Sequence, residues 1–209
     1  MADSMAAAAV WERLDTVVGP HCMEHCPSWS IPNSPGWTLQ GHSLAGERTG
    51  FMIPELKLFL DGGMHSSKIP EHILVTHSHR DHTCGLAQVA MDALVPLTER
   101  PQVYIPSEAA DPLRAMAKAI QAVNECRAMR EEEEMNVVGV RAGEDLKLAC
   151  GKRGGTPVGV HVIECVHRVS CCGYILSSFR NKLREELQGL PKEELAARRK
   201  AGEEITEMI

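Results

Sequence analysis

The sequence predicts an α/β fold, on three observations. Short apolar runs with β-type alternation recur between Gly, Pro and charged breaks, and two helix-like stretches interrupt them. One apolar run, His72 to Val75, then leads straight into a cluster of histidines. Alternation of period two marks a half-buried strand, whereas recurrence near 3.6 marks an amphipathic helix.

The elements follow in chain order. AAAVWERLDTVV has helical composition, and HCMEHCPSWSIPNSPG after it is dense in Pro, Ser, Asn and Gly, which reads as loop or linker. Residues 1–36 are therefore expected to be an extension and linker, with one folded domain over 37–209. WTLQGHSL, RTGFMIP and LKLFLDGG read as strands of meandering antiparallel pairs, and HILVTHSH as a buried strand. Residues 84–95 look helical, VYIPS is a strand ending in a helix-start serine, and residues 108–125 form a second amphipathic helix. Strands follow at NVVGVRA, LKLAC, PVGVHVIECV and SCCGYILSS. The last stretch reads as two short helices broken at GLP, with no further strand.

Composition narrows the class. A 44% hydrophobic content over 209 residues is ordinary for a globular domain. A net charge of −6 argues against a protein that coats nucleic acid with a basic surface, though a local patch remains compatible with it. No apolar run reaches the roughly 18 residues of a membrane span, and no basic segment precedes the N-terminal alanines. A soluble, intracellular protein of cytoplasm or nucleus, with no membrane partner, is expected. The 8 cysteines are scattered, so reduced thiols are expected rather than a disulfide framework.

The informative segment is Thr76-His77-Ser78-His79-Arg80-Asp81-His82. Histidines two apart at the end of an extended strand point to the same side, so His77 and His79 can reach one metal. If the chain then turns, Asp81 and His82 face a second ion, and paired ions in binuclear hydrolases lie roughly 3.5–4 Å apart. Nitrogen-rich ligation with one carboxylate favours zinc, with manganese or iron as weaker options. A His-rich surface turn is the bland alternative, and it does not account for four candidate ligands directly after an apolar strand. His167, at the end of a late strand, is the candidate third ligand of the first ion. Asp61, ending LKLFLDGG, is a candidate acceptor for the second N–H of a ligand histidine, or merely a turn residue before two glycines.

With these residues in view, the order GHSLAGERTGFMIPELKLFLDGG, HILVTHSHRDHTCGL and HRVSCCGYIL resembles ribonuclease Z, the tRNA 3′-end endonuclease of the metallo-β-lactamase superfamily, and in particular its short ribonuclease-Z-like branch. HxHxDH is specific for the superfamily, and H-x-V-x-x-x-G-Y from His167 to Tyr174 points to ribonuclease Z within it. The resemblance runs from about Thr38 to Ile205. It implies a metallo-β-lactamase αββα sandwich, mainly its N-terminal half, with His77, His79 and His167 on one zinc and Asp81 and His82 on the other. It further implies hydrolysis of a phosphodiester, with RNA, a precursor tRNA cleaved at its 3′ end, as substrate and Asp81 orienting the attacking water.

The family also places a bridging aspartate in a Gly-Asp-Thr segment and a last histidine further on, and neither occurs up to Ile209. The sequence thus carries five of the family's seven ligands, and the domain is expected to be incomplete at its C-terminus. A homodimer, or association with a missing C-terminal segment, is the expected remedy, and activity of these 209 residues alone is left open. Two other readings stand beside the endoribonuclease: a non-catalytic form that binds metal or a partner, and a metallo-hydrolase of a thioester or lactam.

Other clusters read as structural. His21 to Cys26 holds adjacent His-Cys pairs that do not match the spaced pairs of structural zinc sites. Cys171 and Cys172 face opposite ways in a strand, Cys84 is a small residue at a helix start, and Glu131 to Glu134 is a solvated turn. His42, His65, His72 and His161 read as surface or satisfied core histidines. The basic residues from Arg180 to Lys200 make a weak patch, either a tRNA grip or an ordinary solvated helix pair.

Overall fold

The computed structural model describes residues 22–91, 99–128, 130, 134–150, 157–179 and 181–208. Strands β1 (Ser28–Ser30), β2 (Thr38–Leu44), β3 (Arg48–Ile53) and β4 (Leu58–Leu60) pair antiparallel, as the meander in the sequence predicts from β2 onward. Beyond β4 the sheet turns parallel. β5 (His72–Leu74), β6 (Gln102–Pro106) and β7 (Asn136–Val140) complete a seven-stranded sheet in sequence order.

Parallel neighbours need crossover connections, which here carry the helices. Between β5 and β6 lie α1 (Arg80–Thr83) and α2 (Leu86–Ala90), and between β6 and β7 lies α3 (Ser107–Glu125). The histidine run therefore falls at the C-terminal end of a parallel strand, where open α/β sheets place their ligands.

A second sheet of three antiparallel strands, β8 (Asp145–Leu148), β9 (Val158–Glu164) and β10 (Cys172–Ser178), has the order β10-β9-β8. Alternation sorts the large sheet's side chains between two cores. Met52, Phe59, Ile73 and Val103 join Leu86 and Leu113 on the helical face. Ile53, Leu58 and Leu74 join Leu148, Val158 and Val160 between the sheets. Each fully buried leucine of this kind contributes about 2 kcal/mol by leaving water. The result is helix, sheet, sheet, a mixed α/β fold that matches the expected N-terminal half of the sandwich. Helix α4 (Lys192–Lys200) buries no side chain.

Four local expectations change. The segment read as linker forms a 3-10 turn at Met23–His25 and the edge strand β1, because Met23 is fully buried in the core and Met23 N–H donates to His65 O at 3.0 Å. Helix formation begins at Arg80, on the histidine loop itself, and breaks at Cys84 and Gly85 before α2. The end of the chain is not helical throughout: β11 (Asn181–Leu183) pairs with β12 (Thr206–Met208) around a 3-10 turn and α4. Glu134 is ion-paired with Lys118, so the glutamate run is not all solvated. The N-terminal helical stretch, His21, residues 92–95 and Glu131 to Glu133 lie outside the described residues.

Candidate metal centre

Three segments distant in sequence build the site. β4 ends at Leu60, and Asp61 takes a left-handed backbone, φ 60°, which turns its carboxylate toward the neighbouring strand. Asp is one of the few side chains that tolerate that region at low cost. Val75, Thr76 and His77 continue the line of β5, and α1 then begins with His79 as its N-cap. His167 lies in the loop between β9 and β10.

The start of β10 is stitched along this line. Cys172 N–H donates to Thr76 O at 2.9 Å, Tyr174 Oη–H donates to Val75 O at 2.8 Å, and His77 and Cys171 form an isolated antiparallel bridge. Those bonds carry the His167 loop over the end of β5. His79 Nδ1 and His167 Nε2 consequently lie 3.1 Å apart, and one ring nitrogen from each of His77, His79 and His167 falls within 4.8 Å of the others.

This convergence fits a cation. Nitrogens bound to zinc at roughly 2.0–2.1 Å in tetrahedral array stand about 3.3 Å apart. Without an ion, one of the two ring nitrogens at 3.1 Å carries hydrogen and donates to the other; with an ion, both lone pairs can turn to it. The His77, His79 and His167 cluster could hold a metal ion, and it is the one such group among the described residues. Burial, with the neighbouring His82 and His167, pushes the His77 imidazole down to about 4, so it stays neutral and able to ligate at pH 7.

Asp81 and His82 lie beside this cluster. The His77 and His82 ring centroids are 3.9 Å apart, and His82 Nε2 is 3.4 Å from Asp81 Oδ2. Gly46, in the β2–β3 turn, donates its N–H to Asp81 Oδ2 at 3.0 Å. Burial opposes ionisation of Asp81, but this N–H, the residue's own backbone N–H and the neighbouring His82 and His77 together outweigh it and hold the carboxyl below its ordinary value. His82 Nδ1 is 2.9 Å from Asp61 Oδ2. Burial would lower the His82 pKa, yet the Asp61 bond and charge raise it overall.

The structure thus brings together all six residues singled out from the sequence. Sequence reasoning missed Thr76, which touches Asp61 and His77, and also Gly46 and Gly63, which brace Asp81. Thr76 stands directly before the histidine run, and the two glycines lie in Ala-Gly and Gly-Gly turns, so only their neighbourhood was a signal.

The remaining candidates separate from the site. Cys22 Sγ–H donates to Glu24 at 2.6 Å and Cys26 is buried. His161 pairs with Asp145 at 2.8 Å and His72 Nε2 faces Ala149 O at 3.1 Å. Cys172 is buried and Cys171 is not, and Cys84 is an exposed thiol at the end of α1. An open cavity of about 680 Å3 adjoins His167, with Arg141 and Arg168 opposed by Glu108 and Glu164 in its wall.

The family model for anti-Pycsar protein Apyc1 matches residues 49–168, more than half of the 209 and enclosing every histidine and aspartate of the cluster. The chain belongs to the anti-Pycsar protein Apyc1 family. This member of the Apyc1 family is also similar to tRNase Z TRZ1 of Arabidopsis thaliana, at 24% identity over 178 residues that cover 83% of this chain and 59% of that protein. Nuclear ribonuclease Z of Triticum aestivum is 25% identical, with 83% of this chain and 94% of that protein covered. For the chloroplastic tRNase Z TRZ2 of Arabidopsis thaliana the identity is 24%, over 83% of this chain and 46% of that protein. The chain therefore spans about half the length of the two Arabidopsis relatives. Both likenesses are to metallo-β-lactamase-fold hydrolases. Among the described residues, no helix is long and apolar enough to cross a membrane.

Proposed function

We propose that the chain is a zinc-dependent phosphodiester hydrolase acting on RNA, with precursor tRNA the favoured substrate. The observation that carries this reading is the approach of His77, His79 and His167 to one point, with Asp81 and His82 beside it. His77, His79 and His167 would hold one ion, and Asp81 and His82 the second. Bound zinc supplies a water whose pKa falls from 15.7 toward about 7 and a positive charge for the phosphate oxygens. Asp81 keeps Oδ2 on the Gly46 N–H, which leaves its other oxygen for the second ion and for orienting the nucleophile. Asp61 orients His82.

Recognition of the phosphate rests mainly on the ions. In the adjoining cavity the charges of Arg141 and Arg168 are matched by Glu108 and Glu164, so the wall contributes little net attraction. The C-terminal basic patch adds little either, since Arg198 is bonded to Glu194 and Glu203 at 3.1 and 3.2 Å and Arg184 to Glu204 at 3.4 Å. That favours the solvated reading of this segment over a tRNA grip.

The test is hydrolysis of bis(p-nitrophenyl) phosphate and of a precursor tRNA with added zinc or manganese, alongside His79→Ala. Metal-dependent cleavage of both, lost in the variant, is expected. Turnover of a thioester or lactam without phosphodiester cleavage would overturn the substrate class, and activity indifferent to chelator would overturn the metal reading.

A further inference from the structure

Thr76 lies between the acidic side chain and the histidines. Its N–H donates to Asp61 Oδ1 at 2.8 Å, and its Oγ1 stands 3.0 and 3.1 Å from the two Asp61 oxygens. The same Oγ1 is 3.0 Å from His77 Nδ1 and 3.4 Å from His82 Nδ1. The backbone carbonyl of Thr76 is held by Cys172 N–H at 2.9 Å, and β-branching restricts the side-chain torsion, so the hydroxyl has a fixed address.

Counting protons decides the direction of each bond. An ionised carboxylate only accepts, whereas a hydroxyl has one proton to give and lone pairs to receive. If Thr76 gave its proton to His77, its lone pairs would face the Asp61 oxygens at 3.0 and 3.1 Å, which is repulsive. The proton therefore goes to Asp61, and Oγ1 accepts from His77, whose Nδ1 must carry hydrogen. His82 Nδ1, at 2.9 Å from Asp61 Oδ2, must carry hydrogen as well. In both rings the Nε2 lone pair is left for a metal.

We propose that Thr76 is a positioning residue whose hydroxyl relays the Asp61 carboxylate to His77, so that one acidic side chain sets the ligand-ready tautomer of a histidine in each metal position, His77 through Thr76 and His82 directly. The proposal rests on the metal reading given above. It separates two residues that the HxHxDH pattern treats alike. His77 has the relay, while His79, whose Nδ1 faces His167, has none.

The experiment compares wild type, Thr76→Val and Thr76→Ser by histidine 15N NMR without metal, at a pH where the rings are neutral, and by zinc competition against a chromophoric chelator. Valine keeps the shape and removes the hydroxyl; serine keeps the hydroxyl. Wild-type His77 is expected as the Nδ1–H tautomer. Thr76→Val should populate the other tautomer and weaken zinc binding by roughly 10–100-fold, the usual effect of losing such a partner, and Thr76→Ser should restore both. Wild-type His77 found as the Nε2–H tautomer, or Thr76→Val with wild-type tautomer and affinity, would overturn the relay. If the valine variant does not fold, the wild-type tautomer and the serine variant still decide. A wild-type protein with the expected tautomer that binds no zinc would instead sink the metal reading and leave the relay standing.

Discussion

Gly63 is packed against the backbone of Asp81 so closely that a Cβ atom at Gly63 would stand 1.7 Å from the Asp81 carbonyl oxygen. The neighbouring atoms are all main chain, Asp81 C at 2.5 Å and Thr49 N at 2.9 Å, so no side chain can swing away. Gly63→Ala is therefore expected to destabilise the fold by about 3 kcal/mol and to displace the Asp81 loop. Urea unfolding checks the first effect. Gly143→Ala is the control: open space surrounds that position, φ is +89°, and only backbone strain of about 1 kcal/mol is expected.

Metal content should follow the imidazole cluster. His79→Ala and His167→Ala each remove one of three converging nitrogens and should sharply lower zinc measured by elemental analysis. His25→Ala and Cys26→Ser, at the other His/Cys cluster, should leave it unchanged. Full zinc occupancy in His79→Ala would refute the assignment.

Asp61→Asn tests the acceptor directly. Asn tolerates the left-handed backbone that Asp61 adopts, so the strand end should survive. The amide, however, offers one acceptor oxygen where the carboxylate receives Thr76 N–H, Thr76 Oγ1–H and His82 Nδ1–H. Zinc affinity is expected to drop by roughly 10–100-fold, read by chelator competition. An unchanged affinity would reduce Asp61 to a turn residue.

Glu24 gives a prediction in pH. Burial works against its ionisation, but hydrogen bonds from Cys22, Ser66 and Ser67 outweigh it and bring the carboxyl down to about 2 from 4.5. A depressed folded-state pKa adds stability that is complete above 4.5 and is lost as pH falls from there toward about 2. Glu24→Gln should thus lower stability near pH 7 and flatten its fall between pH 4.5 and 2, seen in urea midpoints across that range. Parallel curves for variant and wild type would contradict the bonding.

The sequence displayed the chemistry of the site better than its architecture. His77, His79, Asp81 and His82 were legible because ligands packed into six residues leave a local pattern, and β5 was legible from its apolar run. His167 was legible only as the third nitrogen that an ion held by two histidines lacks, since nothing within its own segment says that Cys172 and Tyr174 bond back to Thr76 and Val75. The Met23 turn and β1 were read as linker because Pro and Ser dominate there, while their order comes from distant partners, His65 O and the edge of β2. Local composition carries no trace of such pairing. The β11–β12 hairpin was missed for the same reason: its two strands are three residues each and flank a helical sequence.

His77 and His79 continue from the large sheet, whereas His167 hangs from the hairpin of the small one. An ion shared by all three would act as a rivet through two plates. The apolar layer between the sheets fixes their spacing without direction, but a coordinated ion would lock their sliding and rotation at one end. Stripping it with a chelator would then be a mechanical event, felt as faster amide exchange along β9 and β10 well away from the histidines.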